Sequence, residues 1–190
     1  ILFAYLVSHF LNHALGIISL DALTAGVIYH TTFWQYPPIT LIFYSAAIIH
    51  TGLGIWALYE RREFRWRSIE PLQLVLGLCI PVMIISHVIG VRLSQTLFNT
   101  EKLYPQVLYL NWAASSGRLW LMLGVLNVAW VHGCIGLYLW LRLKPLFKAT
   151  APFWFACAVL LPTLAMLGFY QGGRTIEQQS QSQQWRADNL

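Results

Sequence analysis

The chain has 190 residues, of which 57% are hydrophobic and 10% are charged, and its formal net charge is +5. Its mean hydropathy of +0.57 is far above that of an ordinary soluble domain, even a large one. This composition excludes a soluble globular enzyme and predicts an integral membrane protein.

Five stretches without Asp, Glu, Lys or Arg are long enough to cross a bilayer as helices, which takes roughly 20 apolar residues each. In chain order they cover residues 1–20, 39–59, 71–91, 119–141 and 149–170. The connections between them are rich in charges, prolines and other turn residues. The predicted fold is therefore all-α, a five-transmembrane-helix bundle over residues 1–170. A polar, glutamine-rich tail or linker over residues 171–190 follows it.

Basic residues are concentrated in two of the four connections. They are Arg61, Arg62, Arg65 and Arg67 after the second helix, and Arg142, Lys144 and Lys148 after the fourth. The positive-inside rule places both connections in the cytoplasm. We therefore expect a multi-pass membrane protein with a cytoplasmic N-terminus and an outer C-terminal tail. This topology accounts for the net charge, and no nucleic-acid partner is expected.

Each of the first four predicted helices carries one histidine deep in its apolar run, where an ionisable residue indicates a function. His9 and His87 share the pattern SH followed by apolar residues, and His50 and His132 share a histidine followed by glycines and aromatics. His50 and His132 each stand nine residues before the inner end of an inward-running helix. His87 is seven residues further from that side, or roughly 10 Å at 1.5 Å per residue. His9 is expected to share this outer level.

Two levels with two histidines each predict two metal centres, each held between two helices. A metal centre with two axial imidazoles in an apolar slot is characteristic of haem b, whereas a tetrahedral zinc site needs all its ligands together. Gly54 and Gly136 lie four residues after their histidines on the same helical face, where a flat macrocycle could approach the backbone. Plain helix packing is the alternative, and the matched quartet favours two haems.

Four further residues are considered for a role beside the predicted metal centres or at the membrane interface. His13 lies one turn beyond His9 and is the alternative ligand from the first helix, although the internal alignment favours His9. Arg92 and Arg118, at outer helix ends, are candidates either for the propionates of the outer haem or for ordinary interfacial snorkelling. His30 is expected to be an interfacial residue of an outer loop.

Four motifs, SHFLNH, IIHTGLGIW, IISHVIG and WVHGCIGLY, resemble the membrane anchors of di-haem succinate:quinone oxidoreductases and fumarate reductases. The resemblance covers nearly the whole five-helix span. It implies that His50 and His132 hold the inner haem, that His9 and His87 hold the outer haem, and that a quinone is the redox partner. The stretch HFLNHALGIISLDA is also similar to the start of related anchors fused to bacterial class III adenylate cyclases, where the di-haem domain is thought to sense the quinone pool.

The resemblance implies two alternative functions. The first, which we favour, is a di-haem b cytochrome domain that exchanges electrons with the quinone pool as the redox-sensing anchor of an adenylate cyclase. A covalently attached cytoplasmic output domain then requires a sixth helix beyond Leu190. The alternative is the cytochrome b anchor of a succinate dehydrogenase or fumarate reductase, with flavin and iron–sulfur subunits. In either case we expect a homo-oligomer and no catalytic residue in this segment.

Overall fold

The computed structural model describes residues 1–61, 69–93, 96–97, 104–114 and 116–189. Within these ranges the chain is helical and contains no strand. Among the described residues, four helices are long and apolar enough to cross a membrane, and a shorter apolar helix precedes them. The prediction of an all-α, multi-pass membrane protein is confirmed at this level. The first of the five predicted spans corresponds to the shorter helix.

The helices that match the predicted spans are α1 (Leu2–Ala14, extended by the 3₁₀ turn Leu15–Ile17), α3 (Pro37–Tyr59), α4 (Glu70–Val88, continued by the π-helical turn Ile89–Leu93), α6 (Ser116–Leu141) and α8 (Ala151–Gln179). The part of the chain that the structure describes also has shorter helices that connect or follow them: α2 (Leu20–Trp34), α5 (Tyr104–Trp112), α7 (Pro145–Ala149) and α9 (Gln183–Asn189). Proline in the first turn starts α3, α4, α7 and α8, where its missing N–H is not needed.

The connection around His30 forms the helix α2 and not an irregular loop, and the expectation that His30 is an interfacial residue on the outer side stays a prediction. The side chain of Ser19 caps this helix by accepting a hydrogen bond from the backbone N–H of Ala22 at 3.0 Å. Thr24 and Thr31 donate their hydroxyl protons to carbonyl oxygens of the preceding helical turn. These local bonds satisfy the polar side chains within α2, so that residues typical of turns are compatible with a helix.

Helix α2 runs back along α1 instead of leading away from it. The indole Nε1 of Trp34, at the end of α2, donates to the hydroxyl of Ser8, in the middle of α1, at 3.0 Å. The ring of Tyr5 packs against Trp34 at 5.1 Å and against Phe43 of α3 at 4.6 Å between centroids. Helices α1, α2 and α3 are thus joined through one aromatic cluster.

Helices α1 and α8 approach each other at two glycines. A Cβ atom on Gly16 would meet the backbone oxygen of Gly168, and a Cβ on Gly168 would meet the backbone oxygen of His13. Small residues permit such close contact between membrane helices. Phe10 and Trp130 are buried with Ala165 in one hydrophobic cluster, which joins α1, α6 and α8.

Helix α8 continues nine residues past the predicted domain boundary at residue 170. Gly172 and Gly173 are buried there, and a Cβ on Gly173 would meet the indole of Trp112 in α5. Ile176 is fully buried in a cluster with Leu108. The boundary falls inside a helix because this polar segment keeps one small, apolar face that packs against α5.

Candidate metal centres

The outer histidine pair joins α1 to α4. The ring centroids of His9 and His87 lie 6.3 Å apart, with an angle of 66° between the ring planes. Nδ1 of His87 is buried and has no hydrogen-bond partner among the described residues. A buried polar atom without a partner is costly, and this ring lacks the second hydrogen bond that Nδ1 of a histidine bound through Nε2 ordinarily makes.

The inner histidine pair joins α3 to α6. The ring centroids of His50 and His132 lie 6.0 Å apart, and the ring planes are 82° apart. Nδ1 of His132 lies 3.0 Å from the backbone oxygen of Gln73 on α4. Because a carbonyl only accepts, the neutral ring of His132 donates from Nδ1, which leaves Nε2 with a free lone pair. This is the tautomer that a metal ligand bonding through Nε2 requires.

The two separations fit a pair of imidazoles on opposite sides of one metal ion. With metal–nitrogen bonds of about 2 Å and each ring centre about 1 Å behind its nitrogen, two such rings have centroids roughly 6 Å apart. His9–His87 and His50–His132 both match this distance. The ring planes can take any angle about the shared axis, so their near-perpendicular orientation is compatible with shared ligation.

The two pairs lie at different heights in the bundle. A Cβ on Gly133, the residue after His132, would meet the ring of Phe3, six residues before His9 on α1. On α4, His132 contacts Gly77, ten residues before His87. At 1.5 Å per residue, these offsets correspond to roughly 9 Å and 15 Å along the helices. Within the described ranges, no group of three or more His, Cys, Asp or Glu could hold one metal ion together.

The two glycines predicted to line a slot have different surroundings. Gly54 is on the His50 face of α3, and a Cβ built there meets nothing within 4 Å. A Cβ on Gly136 would instead lie 3.2 Å from the side-chain nitrogen of Gln73. Gly54 therefore borders open space beside the inner pair, whereas Gly136 accommodates a contact with α4.

A cavity of about 380 Å³ adjoins the outer pair. His87, Gly90, Asn111 and Arg118 line it, so the structure brings Arg118 to the same space as one predicted ligand. Arg92 lies in the π-helical turn that follows His87 and is not among the described residues that line this cavity. Of the two arginines, Arg118 is therefore the better placed for a propionate beside His87.

His13 has neighbours of its own. Its Nδ1 lies 3.3 Å from the hydroxyl of Tyr104, and its ring stands edge-on to Phe169, with centroids 5.8 Å apart. Burial raises the pKa of Tyr104, so the phenol stays protonated and can donate to the imidazole. His9, and not His13, has the close ring contact with His87. The geometry thus favours His9 as the partner of His87, and its role as a ligand stays a prediction.

The sequence did not predict that His30 lies beside His9. Helix α2 carries this ring to 5.5 Å from His9 and 5.3 Å from Tyr5, measured between centroids. Burial lowers the pKa of His30, so its imidazole is neutral at neutral pH. The N-cap signal at Ser19, with Asp21 in the following turn, is the feature that could have indicated a helix here.

No family model, curated protein or solved structure matches this chain. The resemblance to di-haem anchors therefore depends on the histidine motifs and is consistent with the two ring pairs described above.

Proposed function

We propose that this chain is a di-haem b cytochrome domain of the bacterial inner membrane that exchanges electrons with membrane quinones. The observation that carries this proposal is the pair of ring separations, 6.3 Å and 6.0 Å, on four different helices at two heights. Two histidines per site, in apolar surroundings, are the ligand set that b-type haem uses. His9 and His87 would hold the outer haem, and His50 and His132 the inner one.

The protein's own groups would fix the ligands before the cofactor binds. The backbone of Gln73 holds the His132 ring in one tautomer, and Gly77 leaves the room in which that ring lies. Arg118 would neutralise a propionate in the cavity that it shares with His87. When bound, each haem would supply one-electron redox chemistry. The oxidation of one quinol releases two electrons, which two haems can accept, and two protons, which pass to solvent.

We further propose that the domain is the redox-sensing membrane anchor of an adenylate cyclase. His50 and His132 lie on α3 and α6, whose far ends lead into the basic connections assigned to the cytoplasm. Arg61 pairs with Glu70 at 2.6 Å and so links the end of α3 to the start of α4. A change of one charge at this site, in the low dielectric of the membrane, can bias helix packing and reach the cytoplasm by this short route.

We also propose that the chain forms a homo-oligomer. Helix α3 has no buried residue, and its large apolar side chains, among them Ile48, Leu53 and Trp56, are exposed over its length. Lipid covers such a face in a monomer, and a second copy of the chain would cover it in an oligomer.

The test uses native membranes that contain the full-length protein. Switching a quinone analogue between its oxidised and reduced forms should change cyclic AMP production, and the response should vanish in His50→Ala. Thr32→Ala, an exposed change away from both pairs, should leave the response intact. Cyclase activity that stays constant while the haems cycle would reject sensing. Copurification with flavin and iron–sulfur subunits, together with succinate oxidation, would instead establish the respiratory anchor.

A further inference from the structure

Helix α6 carries a narrow exposed stripe on the side away from the inner histidine pair. From residue 120 to residue 139, every exposed residue of this helix belongs to the stripe, which consists of Trp120, Asn127, Val131 and Tyr138. Successive members are seven, four and seven residues apart, which is the repeat along which two helices pack side by side. His132 is five residues after Asn127 and points roughly 140° away from it at 3.6 residues per turn. The stripe therefore lies outside the predicted haem sites.

Asn127 places an amide at the depth where lipid satisfies it least. It lies 11 residues after Ser116 and 14 before Leu141, near the middle of the membrane-spanning helix. Its Nδ2 donates to the backbone oxygen of Leu123 at 2.8 Å and reaches the sulfur of Met166 on α8 at 3.6 Å. Among the described residues, no group donates to its Oδ1. Because a thioether is a weak acceptor and lipid tails offer no donor, the amide keeps one unused acceptor and one weakly bonded N–H.

The unused groups of Asn127 match those of an identical amide. A carboxamide both donates and accepts, so two facing copies can form a reciprocal pair of hydrogen bonds. A second copy of the chain, inserted in the same direction, carries Asn127 at the same depth. A twofold axis normal to the membrane brings a residue beside it opposite its own equivalent. The exposed face of α3 differs, because its large side chains are apolar and lipid solvates them as well as a partner would.

We propose that two copies of the chain pair through the α6 stripe, with each Asn127 donating from Nδ2 to Oδ1 of the other; this locates the contact of the homo-oligomer proposed above and rests on that proposal. The N–H that reaches Met166 turns to the second copy, while the bond to Leu123 stays. Each amide thus exchanges a weak acceptor for a strong one and fills its Oδ1. Val131 and Tyr138 continue the contact towards one end of α6, and Trp120 continues it towards the other.

Cysteine cross-linking of the full-length protein in native membranes tests the location. The parent variant has alanine in place of the three native cysteines, Cys79, Cys134 and Cys157. Val131→Cys then places one thiol a helical turn from Asn127 and leaves the amide intact. Oxidation with copper phenanthroline should give a disulfide-linked dimer, because a disulfide needs Cα atoms within about 7 Å and positions beside the axis meet that limit. Ile48→Cys, at an exposed position in the middle of α3, is the control and should stay monomeric.

Sedimentation equilibrium in detergent tests the role of the amide. Asn127→Leu, which keeps the size and removes both hydrogen-bonding groups, should raise the dissociation constant of the dimer about tenfold, equivalent to 1.4 kcal/mol. Asn127→Gln keeps a carboxamide and should lie closer to the parent. Thr163→Val is the matched control on α8, because the exposed hydroxyl of Thr163 already donates to the backbone oxygen of Val159 at 2.7 Å. Its dissociation constant should be unchanged.

The possible outcomes separate this contact from the other proposals. Cross-linking through Ile48→Cys and not Val131→Cys would overturn the α6 contact and leave a homo-oligomer through α3 standing. A monomer in both experiments would reject the homo-oligomer as well. An unchanged dissociation constant in Asn127→Leu would overturn the role of the amide. Cross-linking through Val131→Cys in a protein that binds no haem would support the contact and reject the cytochrome. If Asn127→Leu aggregates, the Val131→Cys result, obtained with Asn127 in place, decides.

Discussion

His132 of α6 and Gln73 of α4 are joined by a hydrogen bond in which Nδ1 of the imidazole meets a backbone oxygen at 3.0 Å. Because the acceptor is a main-chain group, the inner histidine is oriented by the path of α4 and not by a replaceable side chain. The same ring lies against Gly77, where a Cβ would come within 2.7 Å of Cε1. Helix α4 therefore determines the position of the His132 side chain.

The first prediction concerns Gly77. Gly77→Ala should push the His132 ring out of place, because the added methyl group needs the space of Cε1, and the inner haem should be lost or spectrally shifted. The outer haem should be largely unaffected. Gly52→Ala is the control, since a Cβ there meets nothing within 4 Å. Reduced-minus-oxidised difference spectra of both variants measure the effect, and an unchanged inner component in Gly77→Ala would contradict the geometry.

The second prediction concerns the pairing of the inner ligands. His50→Ala and His132→Ala should each remove the same haem, because one missing axial imidazole leaves that iron without its second ligand. Haem content should fall from two to one per chain in both variants. If either variant lost the spectral component that His87→Ala loses, the pairing of helices α3 and α6 would be wrong.

The third prediction separates His9 from His13. His9→Ala should abolish the outer haem, since His9 has the ring contact of 6.3 Å with His87. His13→Ala should only shift its spectrum, because His13 contacts Tyr104 and Phe169. Difference spectra distinguish the two outcomes, and the reverse pattern would reassign the ligand by one helical turn.

The fourth prediction concerns the charge beside the outer pair. Arg118→Gln should lower the reduction potential of the outer haem, because a nearby positive charge favours the reduced iron. A loss of roughly 1 kcal/mol corresponds to about 40 mV for one electron. Arg92→Gln is the comparison, and its effect should be smaller because Arg92 is not in the described lining of that cavity. Redox titration measures both, and a potential that moves only in Arg92→Gln would exchange the roles of the two arginines.

The fifth prediction concerns the contact between α1 and α8. Gly168→Ala should destabilise the protein by about 1–3 kcal/mol, because the methyl group would overlap the backbone oxygen of His13. The outer haem should also be bound less tightly, since α1 carries His9. Leu167→Ala, at an exposed neighbouring position, should have little effect on thermal unfolding. Equal stability of Gly168→Ala and the parent would contradict the close approach.

Much of the fold could be predicted because hydropathy and the spacing of charges report directly on membrane helices. Histidine depth, counted at a fixed rise per residue, was also enough to anticipate which rings are neighbours. Helix α2 was missed because Asp21 and its threonines are typical of loops, and their bonding within the helix depends on the backbone path. The acceptor for His132 could not be predicted, since every residue has a carbonyl and only packing selects that of Gln73.

The most direct test of the central claim is the amount of haem bound by the purified full-length protein. A pyridine haemochrome assay, related to protein concentration by amino-acid analysis, gives both the haem type and the number per chain. Four histidines in two pairs predict two b-type haems per chain, with both irons six-coordinate and low-spin. A result of no haem, or of one haem per chain in fully loaded protein, would contradict the assignment of two bis-histidine centres.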